Sequence, residues 1–272
     1  MATPDVDVIR WGRERARTTP WRGSPEVALL TPLPGAPVPT LAFVRRCVDT
    51  LFAQGFSAVV TGALAPAEQR AFLAAGFAEA ERLHLLSHNL SGLPSARGPG
   101  ARVARLRRPG AREREAVLRV DAASFPSFWQ LDEAGLTDAL TATTHSRFTV
   151  AIDDATGRVV GYAISGRSGR SGYLQRLAVE PSEQGRGLGR ALVVDGLRWL
   201  ARWRAEQCIV NTQWGNEVAL GLYERVGFRR LPEALAVLSK GDSPAGAAER
   251  LPTPVVLGTA GRVSSTWSSG AG

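Results

Sequence analysis

Three glycines at alternate positions, Gly185, Gly187 and Gly189, stand in the run LAVEPSEQGRGLGR, residues 177–190. A strand-like stretch precedes them and a helix-like one follows. Glycine lets a backbone approach a bulky anion, and the free N–H groups of a helix start face that anion with the positive end of the dipole. The run therefore reads as a cradle for a pyrophosphate, with a tight bend that holds no ligand as the plainer alternative. It is not a Walker loop, which needs a terminal Gly-Lys-Ser/Thr, and the Gly-x-Gly-x-x-Gly fingerprint does not fit these glycines. In a second run, residues 216–228, Asn216 stands at a helix start, Tyr223 comes seven residues later, and Gly227-Phe228 lies just past the end. Asn216 suits an N-cap and Gly227 the left-handed residue that closes a helix.

Regular elements must hold both runs in place. Residues 102–107 alternate apolar with basic side chains, as an edge strand does. Residues 111–124 and 131–143 have helical spacing, with the loop Phe125-Pro126-Ser127-Phe128-Trp129 between them. A hairpin follows, with strands at 148–152 and 159–164 around a turn at 153–157. Residues 173–180 read as a buried strand closed by Pro181, 187–204 as a helix, 208–213 as a strand and 216–226 as a short helix. This alternation predicts an α/β fold with a mixed central sheet flanked by helices.

With both runs in order and a strand before each, residues 101–240 resemble the GNAT superfamily of acetyl-CoA-dependent N-acyltransferases. Gln184-Gly-Arg-Gly187-Leu-Gly189 fits the family's Gln/Arg-x-x-Gly-x-Gly/Ala loop, and the Asn...Ala...Tyr...Gly-Phe helix follows it. The alanine-acetylating enzymes of ribosomal proteins look most alike in these motifs. The resemblance implies acetyl-CoA as co-substrate, no metal, and a primary amine as acceptor, either a protein N-terminus or a small molecule. It implies that backbone groups of Leu177, Ala178 and Val179 pair with the pantetheine arm. Gln184, Gly185, Arg186, Gly187, Leu188, Gly189 and Arg190 would hold the pyrophosphate, with Arg186 and Arg190 adding charge. Asn216 would contact the cofactor arm. Tyr223 would protonate the leaving thiolate, since a thiol of pKa about 8.5 lies within reach of a tyrosine of about 10; packing against Leu220 and Val226 is its alternative.

The chain departs from the family pattern at the base. Asn211 stands where the most similar relatives place a glutamate, and the neighbouring strand offers Gln175. The amine proton then leaves through water or through Glu180. An α-amino group of pKa about 8 needs less help than a lysine near 10.4. The missing base also leaves room for an acyl-CoA-binding module without chemistry. A third reading is a two-domain acyltransferase of small-thiol biosynthesis such as mycothiol synthase, which also pairs a degenerate with an active half.

Such a half is faintly legible in residues 1–96. Aligning Gly76-Phe77 with Gly227-Phe228 lays 58–61 on 209–212 and the helix 41–53 on the helix beginning at Leu192. Phe72 then replaces Tyr223, Ala65 replaces Asn216, and Pro34-Gly-Ala-Pro-Val-Pro39 replaces the glycine loop. The Gly-, Pro- and Ser-rich residues 91–100 read as a linker, and the expected organisation is a smaller degenerate GNAT-like half-domain and linker at 1–96, an N-acetyltransferase domain at 97–240 and a disordered tail at 241–272. The half-copy is expected to wall the acceptor cleft; chance similarity is the alternative.

Composition bounds the rest. The chain has 272 residues with 44% hydrophobic and 21% charged, enough for a sizeable core. Cys47 and Cys208 stand far apart without metal-ligand spacing, which excludes a disulfide scaffold and suggests a reducing cytoplasm. No stretch approaches the roughly 18 apolar residues of a membrane span, and the start lacks a signal-peptide pattern. His84, His88 and His145 read as structural. The net charge of +8 comes almost wholly from arginine, Lys240 being the only lysine. Residues 97–240 carry most of it, concentrated at Arg97, Arg102, Arg105, Arg107, Arg108, Arg112 and Arg114. A coding bias and a guarded sheet edge account for that cluster, so nucleic acid is not the expected partner.

Overall fold

The computed structural model describes residues 7–21, 24–94, 101–107 and 109–241. Most of the expected tail, and residues 95–100 of the expected linker with Arg97, lie outside them, as does Arg108. Among the described residues the chain forms two compact units, one of 7–82 with 233–241 and one of 83–232.

The first unit opens with strands β1 (Asp7–Trp11), β2 (Glu14–Pro20) and β3 (Val27–Pro32), paired antiparallel in turn. Helix α1 (Leu41–Ala53) leads to β4 (Ala58–Thr61), which lies parallel to β3 with Val27 opposite Ala58. Helix α2 (Pro66–Ala74) and the first residues of β5 (Ala78–His88) complete the run. Phe43, Val44, Cys47, Val48 and Leu51 form the buried stripe of α1, at the spacing an amphipathic helix needs. They pack with Leu30, Val59 and Phe72. Burial, with Glu14 and its negative charge as the second cause, pushes the Cys47 thiol up to about 12. The start of α1 carries its own anion: Glu14 accepts hydrogen bonds from the Thr40 N–H and hydroxyl, and the Thr40 hydroxyl in turn accepts from the Phe43 N–H. At the other end of α2, Lys240 donates from Nζ to the carbonyl of Ala75.

The second unit continues with β6 (Ala101–Leu106), α3 (Ala111–Ser124), α4 (Glu133–Thr141), β7 (His145–Asp153), β8 (Val159–Ser168), β9 (Ser171–Val179), α5 (Leu188–Arg202), β10 (Gln207–Gln213) and α6 (Glu217–Val226). The last strand, β11 (Arg229–Gly241), begins here and ends in the first unit. The sheet order is β5-β10-β9-β8-β7-β6, so β6, with exposed Arg102 and Arg105 and with Arg107 just past its end, is an edge, as expected. Only β9 and β10 are parallel; the other pairings are antiparallel. Leu188, Leu192, Val193, Leu197 and Leu200 of α5 pack with Leu174, Leu177, Val210, Leu220 and Tyr223.

The predicted α/β fold with a mixed sheet is present. Both halves of the sequence repeat one order, β3-α1-β4-α2-β5 and β9-α5-β10-α6-β11, each with a parallel pair across its first helix. Ala65 opens α2 as Asn216 opens α6, and Phe72, like Tyr223, is buried seven residues on. Residues 239–241 of β11 pair with β4, while 83–88 of β5 pair with β10.

Candidate active site

A cavity of about 660 Å³ opens where β9 turns into α5 and α6 begins. The turn is built on two left-handed glycines, Gly185 at φ +78° and Gly187 at φ +80°, a conformation L side chains resist. Gly187 is also the N-cap of α5, no side chain caps that helix, and its first residues line the cavity. Gly189 serves close approach: a Cβ there would stand 3.2 Å from Leu222 of α6.

Two irregularities in β9 shape the wall beside this turn. Ile164 faces Arg176 while Ser165 faces Leu174, so Gln175 is the extra residue of a β-bulge. The parallel register with β10 runs from Gln207 opposite Ser171 to Ile209 opposite Tyr173 and stops, although both strands continue. Leu177, Ala178 and Val179 pair with Ala163, Tyr162 and Gly161 of β8, and on their other side the backbone is left beside the cavity instead of against β10.

From α6 come Asn216, Val218, Ala219, Leu222 and Arg225. Asn216 accepts the Ala219 N–H at 3.0 Å through Oδ1, the expected cap, while its buried Nδ2 has no partner. Among the expected binding residues, Leu177, Ala178, Val179, Gln184, Gly185, Gly187, Leu188, Gly189, Arg190 and Asn216 line this one cavity. Arg186 does not, and is held by Glu183. Ser124, Phe125, Glu183, Val218, Leu222 and Arg225 also line it. Val218, Leu222 and Arg225 recur at four- and three-residue steps on α6, a stripe legible in the sequence once the helix is known to face a ligand.

The profile of the Acetyltransferase (GNAT) family matches residues 114–228. Over those residues the chain is similar to a GNAT domain. The fold extends the likeness across both units: a tandem GNAT protein from the clavulanic acid biosynthesis pathway superposes with a TM-score of 0.63 at 15% identity, covering 89% of this chain and 83% of that one. A GCN5-related N-acetyltransferase from Kribbella flavida gives 0.60 at 14%, covering 88% and 91%. By sequence the chain is similar to the mycothiol acetyltransferase of Amycolatopsis mediterranei, 33% identical over 45% of this chain and 44% of the relative. That of Mycobacteroides abscessus is 29% identical over 60% and 57%. The chain thus spans about half the length of the curated relatives it matches.

Within this stretch Tyr223 is wholly buried beside the cavity residues of α6 and is not itself on the cavity wall. Its ring lies 5.6 Å from that of Phe228, and its hydroxyl is buried without a partner. Burial, then the nearby Cys208, raises its pKa above the usual tyrosine value, so it is held protonated. Gln175 Oε1 and Nε2, Asn211 Oδ1 and Thr212 Oγ1 are likewise buried and unpartnered. A buried polar group left unpaired costs about 1–3 kcal/mol, and such groups gather where a ligand or ordered water completes them. Neither amide is a base. Glu180, the other sequence candidate, forms ion pairs with Arg119 at 3.5 Å and Arg158 at 3.4 Å.

The histidines have structural surroundings. His88 Nδ1 accepts the Leu90 N–H at 2.8 Å, which leaves Nε2 to donate to the Val226 carbonyl at 3.3 Å, and burial lowers its pKa. His84 lies against Trp214 and His145 stacks on Trp203.

Proposed function

We propose that this chain is an N-acetyltransferase that passes the acetyl group of acetyl-CoA directly to a primary amine. One observation carries the reading: a single cavity gathers the glycine turn, the start of α5 that no side chain caps, the backbone of 177–179 and the unspent Nδ2 of Asn216. These residues fit the co-substrate by its parts. The pyrophosphate suits the turn and the α5 start, with Arg190 and Arg225 on the same wall; the amide-rich pantetheine arm suits β9 and Asn216. Arg225 joins the expected set, while Arg186, tied to Glu183, adds charge from outside the wall.

In the reaction the amine nitrogen attacks the thioester carbon, the C–S bond breaks, and the thiolate takes the proton of the Tyr223 hydroxyl. The tyrosinate recovers a proton that the new amide nitrogen releases through water. Burial keeps the Tyr223 hydroxyl protonated and without a partner, so a proton is present to give, and the same burial makes it a weaker acid than a free tyrosine. With amides at Gln175 and Asn211, the amine arrives already neutral, which favours an acceptor of pKa about 8 over a lysine.

The relatives named mycothiol acetyltransferase, together with the tandem architecture, favour a small-molecule amine over a protein N-terminus as acceptor. Both cysteines are free and buried, in keeping with a reducing cytoplasm. Among the described residues no helix is long and apolar enough to cross a membrane. The test is release of CoA from acetyl-CoA with a panel of amines, read together with a mass shift of one acetyl group on the acceptor. Binding of acetyl-CoA with no release for any amine would convert the reading to a non-catalytic acyl-CoA-binding module.

A further inference from the structure

Arg176 and Asp121 form an ion pair in which the two side chains are 1% and 0% exposed. The guanidinium meets the carboxylate in fork geometry, Nε to Oδ2 at 2.8 Å and Nη2 to Oδ1 at 2.9 Å. Tyr162 donates its hydroxyl to the same carboxylate. A buried pair of this kind seldom adds stability over apolar residues of similar volume, so its retention asks for another reason.

The reason lies in what else the pair holds. Residues 125–131 connect α3 to α4, and three of their groups converge on it. The Phe125 ring lies under the guanidinium, 3.6 Å from its carbon. The Trp129 carbonyl accepts from Nη2 at 2.9 Å. The Leu131 N–H donates to Asp121 Oδ1 at 2.6 Å. Phe125 also lines the cavity described above, and Leu177, the next residue along β9 from Arg176, stands on the same wall. One guanidinium thus ties an aromatic wall of the cavity to the strand whose backbone forms the adjoining wall.

We infer that Arg176 is a positioning residue for acyl-CoA, acting through Asp121 and Phe125 to fix the width of the cavity between the 125–131 loop and β9. This rests on the acyl-CoA reading of the cavity. A structural ion pair alone would lower stability without changing the affinity of the folded protein.

The test is calorimetric titration of the full chain with acetyl-CoA, alongside thermal unfolding. The double variant Asp121→Leu/Arg176→Met removes both charges together and leaves no buried ion unpaired. It is expected to stay folded and to bind acetyl-CoA about tenfold more weakly, because a wall placed loosely by even 1 Å loses its contacts. Arg176→Lys keeps the charge and the pairing with Asp121 but loses the planar contact with Phe125, so it is expected to weaken binding too. Tyr162→Phe, which removes a bond to Asp121 but leaves the tether, is expected to bind within about twofold of the parent. The inference is overturned if folded Arg176→Lys or the double variant binds as the parent does, or if Tyr162→Phe weakens binding as much as they do. Failure of the parent chain to bind acetyl-CoA would instead overturn the reading of the cavity itself.

Discussion

Glu14 accepts the backbone N–H of Thr40 at 2.6 Å and the Thr40 hydroxyl at 3.1 Å, so the start of α1 is already furnished with a carboxylate from its own chain. The equivalent helix of the repeat, α5, starts on Gly187 with no side-chain cap. An anion held at one helix start and N–H groups left open at the other give the two repeats different capacities for a phosphate. Calorimetry should therefore find one acetyl-CoA per chain, and a ratio of two would contradict this assignment. Glu14→Gln should cost about 0.3–1 kcal/mol of stability through the helix dipole without adding a second site.

Replacing Gly187 by alanine should separate the cradle from its scaffold. At φ +80° the new Cβ costs about 1–2 kcal/mol, which for a domain of this size lowers Tm by a few degrees. If the turn holds the pyrophosphate, acetyl-CoA affinity in the folded variant falls as well. Unchanged affinity would assign Gly187 to the bend alone.

Tyr223→Phe should move stability and turnover in opposite directions. Removing a buried hydroxyl that has no partner should stabilise the unliganded protein by about 1 kcal/mol, measured by urea denaturation. Loss of the proton donor should lower kcat by roughly 10² to 10⁴-fold while leaving the Kd for acetyl-CoA near its parent value. Full turnover in this variant would remove Tyr223 from the chemistry.

His88 gives the protein an acid sensitivity with a definite sign. Its folded pKa is lowered, chiefly by burial, so between that value and the unfolded value of about 6.5 the unfolded chain binds more protons. Stability is unaffected by this group above that range and declines as pH falls through it. Protonating Nδ1 would also cost the acceptor of the Leu90 N–H. Urea midpoints from pH 7.5 to 5.5 should fall for the parent and flatten for His88→Asn; parallel curves would assign the loss to other groups.

Much of the second unit was legible because its signals are local. The stretch 111–124 is a helix with those bounds, Gly227 adopts the left-handed φ of +111°, and Asn216 caps the helix it precedes. Most of the expected cofactor residues share one wall because a strand, a turn and a helix start are consecutive in the chain. What was not legible depends on distant partners. Arg176 falls in a stretch that reads as a buried strand, and nothing local names the partner of its charge until Asp121, 55 positions earlier, is placed beside it. Strand β11 hides behind Pro232 and a weak apolar pattern because much of it is only partly buried. Strands β1 to β3 hide among arginines, threonines and prolines, their pairing set by register rather than by periodicity. Tyr223 carries the motif of a reactive residue and the burial of a packing one, and composition cannot separate the two.

The bond from Lys240 to the Ala75 carbonyl also bears on self-modification. Because Lys240 is the only lysine in 272 residues, and its ammonium is spent on the end of α2, the protein offers its own chemistry almost no competing side-chain amine. An acyl donor incubated with it is preserved for the acceptor, and mass spectra of the protein should stay free of a ladder of acetylated forms. Any single adduct that does form has two amines to choose between, Lys240 and the chain's own α-amino group.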